Sequence, residues 1–100
     1  MNRIEHLLTC LIEECAEVQK EASKALRFGF DDKWKSDLNT LNTAEKIALE
    51  CIDLSAVISM LQDEKIIEAP NDYADLIRKK KERVKKYMDY AAERKALIDD

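Results

Sequence analysis

LIEECAEV at Leu11–Val18 and IALECIDL at Ile47–Leu54 carry one pattern twice. An aliphatic residue comes first, Glu fourth, Cys fifth, an acid seventh and an aliphatic residue eighth. Apolar residues recurring at spacings of three and four share one face of an α-helix, whereas strand side chains alternate between faces. The two stretches therefore predict two helices, each with acids fixed at the same phase beside an apolar stripe.

Working outward from the first stretch, Ile4, Leu8, Leu11, Cys15, Val18, Ala22 and Ala25 continue the stripe and predict a helix from Asn2 to Phe28, with Gly29 as its stop. FDDKWKSDLNTLN, residues 30–42, keeps no period and reads as a loop; Trp34 within it is a candidate substrate lid or subunit contact. Around the second stretch, Asn42 or Thr43 caps a helix, with Glu45 placed as a capping partner. Its stripe is Ile47, Cys51, Leu54, Ile58 and Leu61, fading near Asp63–Lys65. Pro70, Asn71 and Asp72 open a third helix carrying Tyr73, Ile77, Val84, Met88 and Ala91 and running to Leu97. The expected fold is all-α: one domain, residues 1–100, forming an antiparallel bundle of three main helices completed by oligomerisation. Cys15 and Cys51, on the stripes, are expected in the core as small apolar residues.

Composition narrows the function classes. A chain of 100 residues with 46% hydrophobic and 38% charged residues suits a folded, highly charged helical domain. One Gly and one Pro leave little material for the tight turns of a β fold. The net charge is −4, with 8 Lys/Arg against 14 Asp/Glu over residues 1–71 and 9 against 7 over residues 72–100. Such an acidic chain is a poor binder of duplex nucleic acid. Three cysteines without a CxxC pair predict reduced thiols in a cytoplasmic setting, and no apolar run is long enough for a membrane span.

The phase of the acids points to chemistry. At about 100° per residue, with Leu11 at zero, Glu14 lies about 60° and Glu17 about 120° to one side. With Ile47 at zero, Glu50 and Asp53 fall at the same two angles. Antiparallel helices packed stripe to stripe would bring all four carboxylates to one edge of the seam. Uncompensated, they would repel one another and bind protons more tightly. A hard divalent cation relieves that repulsion, and Mg²⁺ takes oxygen ligands and bridges carboxylates to phosphates. The only histidine is His6, and no Glu-x-x-His pair supports a di-iron site. The competing explanation is a charged, solvated helix face, ordinary in a chain with 21 acids.

EECAE at Glu13–Glu17 followed by ECID at Glu50–Asp53 resembles the EExxE…ExxD signature of the MazG-like, all-α nucleoside triphosphate pyrophosphohydrolases. The resemblance covers roughly residues 1–87. It implies an oligomeric helical bundle that uses Mg²⁺, or Mn²⁺ in its place, to convert (d)NTP to (d)NMP and pyrophosphate. It implies Glu14, Glu17, Glu50 and Asp53 as metal ligands and catalytic residues, and Lys46, one turn before ExxD, as a substrate contact. Lys79 or Lys80 with Arg83 fits a basic pair that family members carry on the following helix. The implied partners are a nucleoside triphosphate and further copies of the chain, as a homodimer or homotetramer. The chain departs from compact members in a longer connection between the motifs.

Read by phase alone, Lys80 and Arg83 lie about 60° and 120° from Ile77, with Tyr87 on the same flank. There they either hold phosphates or form a solvated face. Phe28, Phe30 and Trp34 are candidates for stacking on a base or packing on a partner subunit. The rival function is a non-catalytic dimeric helical adaptor whose acids serve only solubility.

Overall fold

The computed structural model describes residues 1–33 and 40–98; Trp34 lies outside the described residues. It holds three helices, α1 (Arg3–Phe28), α2 (Thr43–Asp63) and α3 (Tyr73–Glu93), and no strand among the described residues. The chain divides into two compact units, residues 1–68 and residues 69–100.

Helix α1 begins where the Asn2 side chain accepts the Glu5 backbone N–H at 2.8 Å, satisfying one of the free donors of the first turn. It ends at Gly29, whose N–H donates to the Ala25 carbonyl at 2.9 Å. Gly29 has φ +93°, and a Cβ there would lie 3.1 Å from Asp31 Oδ1, so both backbone and space select glycine. Helix α2 opens with the full reciprocal cap. Asn42 Oδ1 accepts the Glu45 N–H at 2.9 Å, and Glu45 Oε1 accepts the Asn42 N–H at 3.2 Å. The connection folds back on this start, its Asp32 and Phe30 carbonyls accepting from the N–H groups of Thr43 and Ala44. Thr43 is consequently buried.

Helices α1 and α2 form an antiparallel hairpin. At one end these loop bonds join the last residues after α1 to the first of α2; at the other, Arg3 pairs with Glu64 at 2.6 Å. That pair marks the register. Eleven residues inward from its two members lie Glu14 and Asp53, and fourteen inward lie Glu17 and Glu50.

The seam of the hairpin differs from the sequence stripe. Leu7 and Leu61 are the buried hydrophobic residues, 6% and 1% exposed. Leu11, Val18 and Ala25 on α1, and Ile47, Leu54 and Ile58 on α2, are half-buried, whereas Ile4, Leu8, Cys15, Ala22 and Cys51 are exposed. The expected burial of Cys15 and Cys51 is therefore corrected. Measured from Leu7, Leu11, Val18 and Ala25 lie within about 40° of it, and Cys15 stands about 80° away. Cys51 stands about 80° from Leu61 on α2, to the corresponding side. One apolar stripe per helix is too wide for a two-helix contact, so the packing takes its acidic half and leaves the other half outside.

Both α2 and α3 end without glycine. After α2, Lys65 takes φ +58°, its N–H donates to the Gln62 carbonyl, and the Ile66 N–H donates to the Leu61 carbonyl. After α3, Lys95 takes φ +60°, with Lys95 N–H to Ala92 and Ala96 N–H to Ala91. These paired bonds form the Schellman closure, which satisfies the last free carbonyls of a helix. Helix α3 thus stops at Glu93, short of the expected Leu97. Within its own unit α3 buries no residue; Arg78 links Asp75 and Glu82 along its surface, both at 2.6 Å.

Candidate metal centre

The register that seats Leu7 and Leu61 also decides where the acids fall. Relative to these two residues, Glu14 and Glu50 lie only about 20° off the seam, and Glu17 and Asp53 about 80° off, on the same flank. The repeat in the sequence is thus a local two-fold in the hairpin: equivalent acids come from α1 and α2 to one side, and Cys15 and Cys51 go to the other. One carboxylate oxygen each from Glu14, Glu50 and Asp53 lie within 4.8 Å of one another. Glu14 and Glu50 are half-buried and Asp53 is exposed, so the cluster has a protected floor and an open side.

Its electrostatics follow from this crowding. Partial desolvation, and then the negative charges of Asp53, Glu17, Glu14 and Glu21, raise the Glu50 pKa above the ordinary carboxylate value of 4.5. Glu14 Oε2 is buried without a hydrogen-bond partner. An orphaned carboxylate oxygen beside two further carboxylates is a donor set suited to a hard cation. Softer metals find no thiol there, because both motif cysteines lie on the opposite flank. The residues therefore fit Mg²⁺ or Mn²⁺.

The remaining candidates fall in different places. Glu17 is not one of the three converging acids; it is half-buried and its Oε2 lies 3.9 Å from Lys20 Nζ. Glu13 is exposed. Lys46 is half-buried and lines a cavity of about 470 Å³ with Lys24, Phe28, Asp32, Thr40 and Thr43. Two ammonium groups, two hydroxyls and an aromatic ring surround this space near the loop end of the hairpin. Arg27 stacks on Phe28, its guanidinium carbon 5.0 Å from the ring centre. Phe30 is exposed beside an apolar recess formed by Ala22, Ala25, Leu26 and Ile47. Lys79, Lys80, Arg83 and Tyr87 are exposed on α3 in the second unit, where Lys79 Nζ lies 3.2 Å from Asp75.

Two residues went unnoticed in the sequence. Glu21 is 5% exposed, and Lys24, 3.5 Å from it, lines the cavity. The signal for Glu21 was present: Glu14, Glu17 and Glu21 follow one another at three and four, the spacing of a single helix flank. It lay outside both short motifs.

Comparison of the chain with protein-family models, with curated proteins and with solved structures gives no match.

Proposed function

We propose that this chain is an Mg²⁺-dependent nucleoside triphosphate pyrophosphohydrolase of the MazG-like type, converting (d)NTP to (d)NMP and pyrophosphate. The observation that carries the reading is the convergence of Glu14, Glu50 and Asp53, acids from two motifs on different helices. Mutual repulsion opposes this gathering, and a bound cation would relieve it.

Glu14, Glu17, Glu50 and Asp53 hold the cation. When bound there, Mg²⁺ would supply charge neutralisation for triphosphate oxygens and a more acidic water. Glu17 or Glu14 accepts the proton of the attacking water as a general base. Lys46 contacts the substrate from the hairpin cavity, in which Lys24 offers a second cation and Phe28 an aromatic surface. By the resemblance, Lys79 or Lys80 with Arg83, and Tyr87 on the same flank, would be the phosphate-contacting residues of α3, Arg83 suited to forked contacts and the lysines to point charge. A homodimer or homotetramer covers the outer apolar half of the hairpin. No helix among the described residues is long and apolar enough to cross a membrane, and the proposed location is the cytoplasm.

A panel of canonical and modified NTPs and dNTPs, assayed for pyrophosphate release with and without Mg²⁺, tests the reading. Metal-dependent release from at least one of them is expected. No release from any would leave the dimeric adaptor, which the exposed Ile12, Leu26 and Ile52 favour as a binding surface.

A further inference from the structure

We propose that the cavity at the loop end of the hairpin is the base pocket of the nucleotide, with Phe28 as its stacking surface and Asp32 as the group that selects a base bearing an amino group. This role rests on the nucleotide-hydrolysing reading above and deepens it, with two residues that belong to neither motif.

Chemical groups change in a fixed order along the acid flank. Relative to Leu7, Lys24 and Phe28 lie about 100° and 60° to the side that carries Glu14, and Lys46 lies about 60° to the same side of Leu61. By the register that Arg3 and Glu64 mark, Thr43 is level with Lys24, and Glu50 with Glu17. At about 1.5 Å per residue, Lys46 stands about 6 Å beyond Glu50, while Lys24 and Phe28 stand about 10 Å and 16 Å beyond Glu17. Carboxylates thus give way to ammonium groups, and these to hydroxyls and an aromatic ring. A metal-bound nucleotide runs in the same order, from anionic phosphates through the sugar to a flat base.

The long connection after α1 builds one wall of this space. The Asp32 carbonyl accepts the Thr43 N–H at 3.1 Å and the Thr43 hydroxyl at 3.4 Å, which ties Asp32 to the start of α2. Thr43 is 3% exposed, so the tie is sheltered from water. A volume of about 470 Å³ is ordinary for a small-molecule pocket. The Arg27 guanidinium lies over the Phe28 ring, yet Phe28 stays 58% exposed, with surface left for a flat partner. Asp32 is the one acid lining the cavity among the described residues, beside the ammonium groups of Lys24 and Lys46. A carboxylate only accepts hydrogen bonds and an ammonium only donates them. An amino group on a base can donate to Asp32, whereas a carbonyl at the same ring position would meet it with lone pairs. A site built to bond a donor rejects the analogue that lacks it. The competing use of the cavity, a phosphate site on Lys24 and Lys46, is opposed by the charge of Asp32 and leaves Phe28 without a role.

Calorimetric titration of the full chain with CMP, UMP, AMP and IMP in the presence of Mg²⁺ tests the pocket without turnover. CMP and UMP, like AMP and IMP, differ by an amino group exchanged for a carbonyl. The amino member of each pair should bind about 10-fold more tightly. Asp32→Asn, whose amide both donates and accepts, should remove most of that preference. Phe28→Ala should weaken all four nucleotides by about 10-fold, the loss of one stacking surface. The same variant should bind inorganic triphosphate, which has no base, as the wild type does. Equal affinities within either pair, or a preference unchanged in Asp32→Asn, overturns the proposal. So does an equal loss of nucleotide and inorganic triphosphate binding in Phe28→Ala, or a wild type that binds none of the four. Base-selective binding without pyrophosphate release from any triphosphate would keep the pocket and remove the hydrolysis. Pyrophosphate release without base preference would keep the enzyme reading and remove the pocket.

Discussion

At the scale of single residues, the clearest consequence of the carboxylate cluster is its response to pH. Glu50 binds its proton more tightly in the folded chain than an ordinary carboxylate does, because of desolvation and its acidic neighbours. Between the ordinary carboxylate pKa and the raised value, the folded state holds more protons than the unfolded state. Metal-free protein should therefore lose stability as pH rises through this interval, by linkage. Glu50→Gln should flatten the decline, which melting temperatures measured from pH 4 to 7 in a chelating buffer would reveal; an equally steep decline would contradict the assignment. The basic residues of α3 give a second prediction. Lys80→Ala and Arg83→Ala should each raise the Michaelis constant by about 10- to 100-fold, the loss of one charge-assisted contact. Cation binding should stay unchanged, and unaltered kinetics would mark RKKKERVKK as a solvated face.

At the scale of elements, the helix starts and the stops of α1 and α2 were legible in the sequence, and the stop of α3 was not. Asn42 with Glu45 names its own capping box, and Gly29 is a stop because its backbone geometry requires it. The ends of α2 and α3 rest instead on lysines at positive φ; the fading stripe marked the first near Asp63–Lys65, while nothing in the sequence, with no glycine nearby, marked the second. That is why α3 was expected to run to Leu97. The acids were legible because phase on a helix is nearly rigid. The fate of the apolar stripe was not, since a single period cannot say which half of a wide stripe meets the neighbouring helix. Glu21 was missed for a related reason: its importance comes from burial, which spacing alone does not report. Lys65 supplies a test of the helix ends. A left-handed non-glycine residue costs about 1–2 kcal/mol, and glycine returns roughly 0.5–1 of this as unfolded-state entropy. Lys65→Gly should therefore stabilise the chain by about 0.5–1 kcal/mol in urea unfolding, and a loss of stability would contradict the Schellman closure.

At the scale of the whole molecule, the hairpin keeps too much apolar surface outside. Leu7 and Leu61 are the buried hydrophobic residues of the described chain, while Leu26 is 90% and Ile12 69% exposed. Ile4, Leu8 and Cys15 on α1 and Cys51 on α2 line the flank opposite the acids, so a second copy can cover this flank while leaving the carboxylates open. Association is accordingly predicted, with a melting temperature that rises with protein concentration. Light scattering that finds a monomer at micromolar concentration, together with a concentration-independent melting temperature, would contradict it.

The central claim is that acids from two helices hold a cation for triphosphate hydrolysis. Its most direct test is Mg²⁺-dependent pyrophosphate release by the wild type beside Glu14→Gln, Glu17→Gln, Glu50→Gln and Asp53→Asn, with Glu5→Gln as control. Each amide keeps the side chain's size and removes its charge. The account predicts that all four abolish turnover while the metal-free proteins stay as stable as the wild type or become more so, because each change relieves repulsion. Wild-type turnover in the four variants would contradict it.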